Sequence, residues 1–402
     1  MFDFLRKTTG AAEAKASAVG PLLAGPVSGR ATGVGVVNRA SWTARDPVSL
    51  MRAGFLGNPV GFRVVRLISE AAAALPLVLQ DCERRFDAHP VMSLIRRPNP
   101  VQGKAEFLES VYAQILLAGN AYVEAVSAAG AAAMPVELHV LRADRIRVVP
   151  GPDGWPAAYD YAVGGRKHRF VMGADAEAAP ICHIRAYHPA DDHYGLSPME
   201  AAATAMDVHN AASRWSKALL DNAARPSGAI VFNGTDGQSR LSNDQFERLQ
   251  AEMESHHQGA RNAGRPMLLE GGLDWKPMGF SPSDMEFHKT KEAAAREIAL
   301  AFGVPPMLLG IPGDATYANY QEANRAFYRL TVLPLAARVT AALGHWLSAH
   351  AGEALDLKPD LDQVPALATE RDQQWRRIAG ADFLSDAEKR QLLGLPRFPE
   401  TE

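Results

Sequence analysis

Between positions 182 and 193 the chain gathers Cys182, His183, His188, Asp191, Asp192 and His193, the side-chain types that bind metals and move protons. Thiolate, imidazole and carboxylate together make the donor set of a zinc or other divalent-ion site, and such an ion can activate water. One reading is therefore a metal-dependent hydrolase built on His183, His188, Asp191 and His193, with the helix-breaking stretch 302–320 as its lid. Strand geometry opposes it. Cys182 and His183 are neighbours in an Ile-Cys-His-Ile run, so they point to opposite faces. The remaining members fall in a polar turn, where Asp and His commonly serve the local backbone. The chain has no Gly-x-x-x-x-Gly-Lys-Ser/Thr phosphate cradle, His-Glu-x-x-His pair, EF-hand loop or Gly-x-Ser-x-Gly elbow. That argues against a nucleotide-driven motor, and neither a metal nor a cofactor is assigned.

The most informative stretch carries no such chemistry. Phe302-Gly-Val-Pro-Pro-Met-Leu-Leu-Gly-Ile-Pro-Gly-Asp-Ala-Thr-Tyr-Ala-Asn-Tyr320 separates two helical patterns with three prolines, three glycines and Asp314 as its only charge. Helix cannot run smoothly through it, because proline lacks the backbone donor and glycine releases φ. Such a segment is a lid, a plain surface loop, or a part presented to a partner without gripping it.

Flanking elements can be read from their caps. Ser197-Pro-Met-Glu200 offers an N-cap serine, proline at the first helical position and a capping-box glutamate, opening an Ala-rich helix to about Asn222. Ser242 opens a second helix to about His257, Ser281-Pro282 a third to about Phe302, and Ser385-Asp-Ala-Glu388 a short one near the C-terminus. Strand-like runs at 228–232, 266–270 and 273–276 place a small α/β insertion between the first and third helices. A long helix from about Tyr317 or Asn319 to His350 contains Pro334, so a kink is expected near Leu330. Upstream, helical patterns over about 55–80 and 104–118 precede alternating runs at 122–126, 136–141, 145–149, 159–163 and 181–184, an antiparallel region.

The chain has 402 residues, enough for two or three subdomains, with 47% apolar and 22% charged residues, as in folded proteins. Its formal charge of −3 offers no overall attraction for nucleic acid, so any DNA it meets is not held by many phosphate contacts. Cys82 and Cys182 are the only cysteines, which suits a reducing compartment. The apolar run 330–347 carries Pro334, Arg338 and His345 and reads as a buried or amphipathic helix; neither a membrane span nor a signal peptide is expected.

Arg97-Pro-Asn-Pro100, Leu117-Ala-Gly-Asn-Ala-Tyr122, Asp192-His-Tyr-Gly-Leu-Ser-Pro-Met199, Phe302 to Gly310, Tyr317-Ala-Asn-Tyr-Gln-Glu322 and Leu333-Pro334 occur in this order over roughly residues 50–350. Together they resemble the portal (head-to-tail connector) proteins of tailed bacteriophages, in the short form also found in phage-like gene-transfer particles. The resemblance implies an α+β fold assembled as a dodecameric ring at the unique capsid vertex, a passage for double-stranded DNA. It also implies contacts with the major capsid protein, the packaging terminase and then a head–tail adaptor, made in the cytoplasm and later within the particle. In family terms 1–44 is a flexible arm, 45–195 the wing, 196–224 and 281–302 the paired stem helices, and 225–280 the clip. Residues 303–320 are the tunnel loop, 321–358 a kinked wing helix with its following segment, and 359–402 the crown helices. Asp314, Thr316, Tyr317, Asn319 and Tyr320 are the expected DNA-channel residues, and Asn233, Asp236, Gln238, Arg240 and Arg261 the expected partner-binding residues of the clip. The loop lacks the basic residues that some family members carry there.

Overall fold

Among the described residues, four helices begin with the same device, a polar residue followed by proline. Asp46, Asn58, His89 and Ser197 are extended at their N-caps, and each side chain accepts a hydrogen bond from a backbone N–H of the turn it starts. The proline holds the preceding residue extended, the conformation an N-cap needs, and itself fills the position whose N–H would be unsatisfied. The computed structural model describes residues 42–127, 134–173, 178–221, 229–232, 244, 247–248, 251, 273–276, 287–312 and 317–396.

Helix α1 (Pro47–Leu50) runs into a π-helical segment (Met51–Leu56), and α2 (Pro59–Ala73) follows. After β1 (Leu77–Gln80) come α3 (Pro90–Arg96) and α4 (Lys104–Ala118). Two three-stranded antiparallel sheets succeed them. One has the order β3–β2–β7, from β2 (Asn120–Val126), β3 (Glu137–Leu141) and β7 (Ile181–Arg185); the other has the order β4–β5–β6, from β4 (Ile146–Pro150), β5 (Pro156–Val163) and β6 (Arg166–Val171). Helices α5 (Pro198–Ala201) and α6 (Ala203–Asp221) lead to the paired strands β8 (Ala229–Phe232) and β9 (Leu273–Lys276), and α7 (Phe287–Ala301) returns. Then come α8 (Tyr317–Phe327), a π segment (Tyr328–Val332), α9 (Leu333–Ala351), β10 (Asp356–Pro359), α10 (Ala368–Ala379) and α11 (Asp386–Leu393).

One apolar core joins α2, α4, β2, β7, the starts of α5 and α6, the end of α7, and α9. Val64, Ile68, Phe107, Val111, Ile298, Val339, Leu343 and Leu347 are fully buried in it. A smaller cluster under β4–β6 contains Tyr122, Val148, Tyr159 and Phe170. The helical run Ala318–Ala351 is long and apolar enough to cross a membrane by composition. Its α9 portion buries Ala336, Val339, Leu343, Trp346 and Leu347 within the protein, and Trp346 donates to the Ala179 carbonyl at 2.7 Å.

Several expectations are corrected. The first helix ends at Ala73, and Pro76 opens strand β1, which pairs with β10; neither strand was anticipated. Strand β6 was also missed, because Arg166 to Arg169 are all exposed and show no alternation. The Ala-rich helix from Ser197 is stepped at Ala202 rather than continuous. Ser197 accepts from the Glu200 N–H, whereas the reciprocal capping box is complete at Ser385 and Glu388. The kink near Leu330 takes the form of the π segment: the Leu333 N–H reaches the Tyr328 carbonyl just ahead of Pro334. An inserted residue there takes up the register that proline disrupts. The expected arm lies outside the described residues as far as Ser41, while Thr43 and Arg45 already bond to α6 and its approach. Most of the helix expected over 242–257, the run 266–270 and the onset of the third helix at Ser281 also fall outside them.

Candidate functional site

The helices α6 and α7 pack side by side. Ala203, Ala205 and Ala212 of α6 and Ala294, Ala295 and Ala299 of α7 are buried, as are Met206 and Ile298. Small side chains let the two backbones approach. Trp215 and Phe287 stack at 3.8 Å where the pair leaves the core. At the core end Asn58 receives the Val60 and Gly61 N–H groups and donates to Asn210 at 2.9 Å, and its amide lies 3.2 Å from His209 Nδ1. Burial, with the Lys291 cation adding to it, lowers the His209 pKa and keeps it neutral.

Segment 302–312 is anchored more firmly than a free loop. Phe302 and Val304 are buried in the main core. Gly303 ends α7 at φ 67°, and a Cβ there would meet Thr331 Oγ1 at 2.8 Å. Thr331 Oγ1 instead donates to the Gly303 carbonyl at 2.6 Å, joining the turn to the π segment. A short 3-10 turn (Pro306–Leu309) follows, and Arg296 of α7 bonds the Pro312 carbonyl. Helix α8 has begun by Tyr317, so Tyr317, Asn319 and Tyr320 occupy its first turn, with Asn319 and Tyr320 exposed. Asp314 and Thr316 lie outside the described residues, as do Asn233, Asp236, Gln238, Arg240 and Arg261.

The metal-capable cluster is used otherwise. His183 Nε2 lies 3.0 Å from Asn120 Oδ1 and Nδ1 lies 3.3 Å from the Tyr159 hydroxyl, with the ring stacked on Tyr122 at 4.3 Å. The network assigns the Nε2–H tautomer: His183 donates to Asn120 and accepts from Tyr159. Burial first, then Arg185 and His193, lower its pKa to about 4. Burial pushes the Cys182 thiol up to about 12, and its Sγ faces the Ala342 carbonyl. Asp191 accepts from the His193 and Tyr194 N–H groups, and His188 Nδ1 from the Ala190 N–H. Among the described residues no three His, Cys, Asp or Glu side chains form a group able to hold a metal. The predicted ligands are brought near in sequence but not to one point.

Sequence reasoning missed what those residues build. Gly119, at φ 71°, and Gly195 approach so closely that a Cβ on either would lie 2.1 Å from the other's carbonyl oxygen. Asn120 Oδ1 accepts the Gly195 N–H at 2.9 Å, and its Nδ2 donates to the Ala118 carbonyl at 2.8 Å. Two of the ordered motifs, 117–122 and 192–199, thus meet in one joint. A third is a joint as well: Asn99 donates to the Leu138 carbonyl at 3.1 Å and the Leu138 N–H reaches Pro98 at 2.7 Å, fixing β3. A Gly in each of two distant motifs, Gly119 followed by Asn120 and Gly195, is the signal that could have found the first joint.

The mixed helix-and-sheet architecture, with two Ala-packed helices flanking a strand-paired excursion and a π-jointed helix returning to the core, is that of a phage portal. Residues 59–394 match the family model for phage portal protein, and the chain belongs to that family. It is 26% identical over 301 residues to the portal protein of Enterobacteria phage HK97, covering 71% of this chain and 66% of that one. A solved structure of the neck of an empty GTA particle, computed with C6 symmetry, contains a chain 70% identical, covering 90% of this chain and 96% of that chain, with TM-score 0.69. An HK97-family portal protein from Corynebacterium diphtheriae, 17% identical over 81% of this chain and 99% of its own, shares the fold at TM-score 0.55.

Proposed function

We propose that this chain is the portal subunit of a gene-transfer or phage-like particle. Copies form a dodecameric ring at the unique capsid vertex and line the passage for double-stranded DNA. The observation that carries this reading is the 69% identity to a chain in the neck of a native GTA particle computed with C12 symmetry. The helix pair supports it: α6 and α7 pack side by side with buried alanines on both, and a closed ring of such pairs makes a continuous wall. In this reading α6 and α7 are the stem, 225–280 the clip that meets the terminase and then the adaptor, and 359–402 the crown. The ring is built in the cytoplasm, contacts the major capsid protein, and ends at the head–tail junction. No membrane is involved, and the role is mechanical rather than catalytic.

Asp314, Thr316, Tyr317, Asn319 and Tyr320 face the passing DNA in this reading. The anchored stretch 302–312 and the start of α8 would hold the intervening residues at fixed points, and their sparse charge limits friction on a moving polyanion. Asn233, Asp236, Gln238, Arg240 and Arg261 supply polar clip contacts. Mass measurement and negative-stain imaging of the purified chain test the ring: a turbine-like particle with a central hole is expected, and a stable monomer at micromolar concentration overturns it. Thr316→Ala with Tyr317→Ala leaves the ring intact and lowers packaged DNA; unchanged packaging removes these residues from the channel.

A further inference from the structure

The strands of the β4–β5–β6 sheet carry Arg147, Arg166, Lys167 and Arg169 against one carboxylate, Asp160, in a chain whose formal charge is −3. Strand register sets their order. Arg147, Asp160 and Arg169 stand directly opposite one another across the three strands, on the face away from buried Val148, Tyr159 and Phe170. Asp160 is 4% exposed and holds two cations on that face: Arg169 Nε at 2.7 Å and Nη2 at 3.0 Å, and Lys167 Nζ at 2.7 Å. Their side chains remain 54% and 59% exposed. One carboxylate therefore orders two cations without hiding them. Arg166, at the hairpin end, alternates to the opposite face with His168 and Phe170, so the row on this face is Arg147, Lys167 and Arg169 around Asp160. The nearby Asp153 is engaged in its own turn, accepting the Trp155 N–H.

A face with three cations on β4 and β6 around one carboxylate, a net excess of positive charge with two of the cations held in position before any partner arrives, suits a dense line of negative charge. We propose that the solvated face of β4–β6 docks the phosphate backbone of double-stranded nucleic acid outside the channel. Counterion release favours such contact, and ordering by Asp160 reduces the side-chain freedom lost on binding. This surface is separate from the tunnel residues proposed above and does not depend on them.

The test uses the assembled full-length protein and a covalently closed circular duplex, which has no end to thread into a ring. Binding is expected, weakening with salt. Arg147→Gln leaves both ion pairs of Asp160 in place; it should reduce affinity about eightfold at about 0.1 M salt and lower the log–log salt slope by about 1. Asp160→Asn frees two cations and should tighten binding by up to about eightfold. Unchanged affinity in Arg147→Gln, or weaker binding by a folded Asp160→Asn protein, overturns the proposal. Binding of linear but not closed duplex leaves only the channel and overturns it. Binding of polyglutamate without duplex assigns an acidic protein partner and also overturns it. If Asp160→Asn fails to fold, Arg147→Gln alone decides.

Discussion

Replacing Asn120 by alanine should cost the fold about 3 kcal/mol, although the residue touches no expected channel or partner position. Asn120 is 5% exposed and makes the joint between the two close-approaching glycines. Its loss leaves the buried Gly195 N–H without its acceptor at 2.9 Å and the His183 Nε2–H without its acceptor at 3.0 Å. A stranded buried donor costs about 1–3 kcal/mol, and each further net hydrogen bond about 1 kcal/mol. The joint also has a pH signature. His183 has a folded pKa of about 4, against an unfolded value of about 6.5. The unfolded chain therefore binds the extra proton between these values, so stability is full above the upper value and falls as pH drops through the window, by about 3 kcal/mol in all. Asn120→Asp places an anion beside Nε2, raises the folded pKa and flattens that fall. Urea unfolding followed by circular dichroism, from about pH 7.5 to about pH 4.5, measures both effects, with Ser110→Ala as a control away from the joint expected within about 0.5 kcal/mol of the parent. A cost below about 1 kcal/mol for Asn120→Ala, or an unaltered pH slope for Asn120→Asp, refutes the reasoning.

Two further outcomes follow from close contacts. Gly54→Ala places a Cβ 2.3 Å from Met199 Sδ and 2.5 Å from Met206 Sδ, so the packing of the 51–56 segment against α5 and α6 must adjust at about 1–3 kcal/mol, read as a lower urea midpoint. Thr331→Val removes the donor to the Gly303 carbonyl; it should cost about 1 kcal/mol and speed limited proteolysis within 303–316 while leaving cleavage elsewhere unchanged.

Helix α4 was legible because Phe107, Leu108, Val111, Ile115 and Leu116 form one stripe that is in fact buried, and Gly119 ends it. The C-terminal cap was legible because both halves of the Ser385 and Glu388 exchange are local. Strands β1 and β10 were not, since each is four residues long and acquires strand geometry only from a partner remote in sequence. The Asn58, Asp46 and His89 caps carry the same polar-proline signal as Ser197, without a glutamate at the third position. The ordered motifs identified the family without disclosing their purpose. Asn99, Asn120, Gly195 and Thr331 join segments up to 75 positions apart, and such joints are fixed by tertiary approach rather than by periodicity. The His183 cluster misled for the complementary reason: proximity in sequence stood in for convergence in space.

The pairing of β1 with β10 has a consequence for timing. Gln80 and Asp356 are 276 positions apart, and closing so long a loop costs about 5 kcal/mol of chain entropy before any contact offsets it. During synthesis β1 emerges long before its partner exists, and its edge stays open while most of the chain is made. Only when residues 356–359 arrive can that edge be covered, with Asp360 then reaching Arg85 at 2.8 Å and its N–H reaching the Pro76 carbonyl. Residues 356–359 therefore seal an edge made 276 positions earlier, and a chain that stops short of them leaves β1 open.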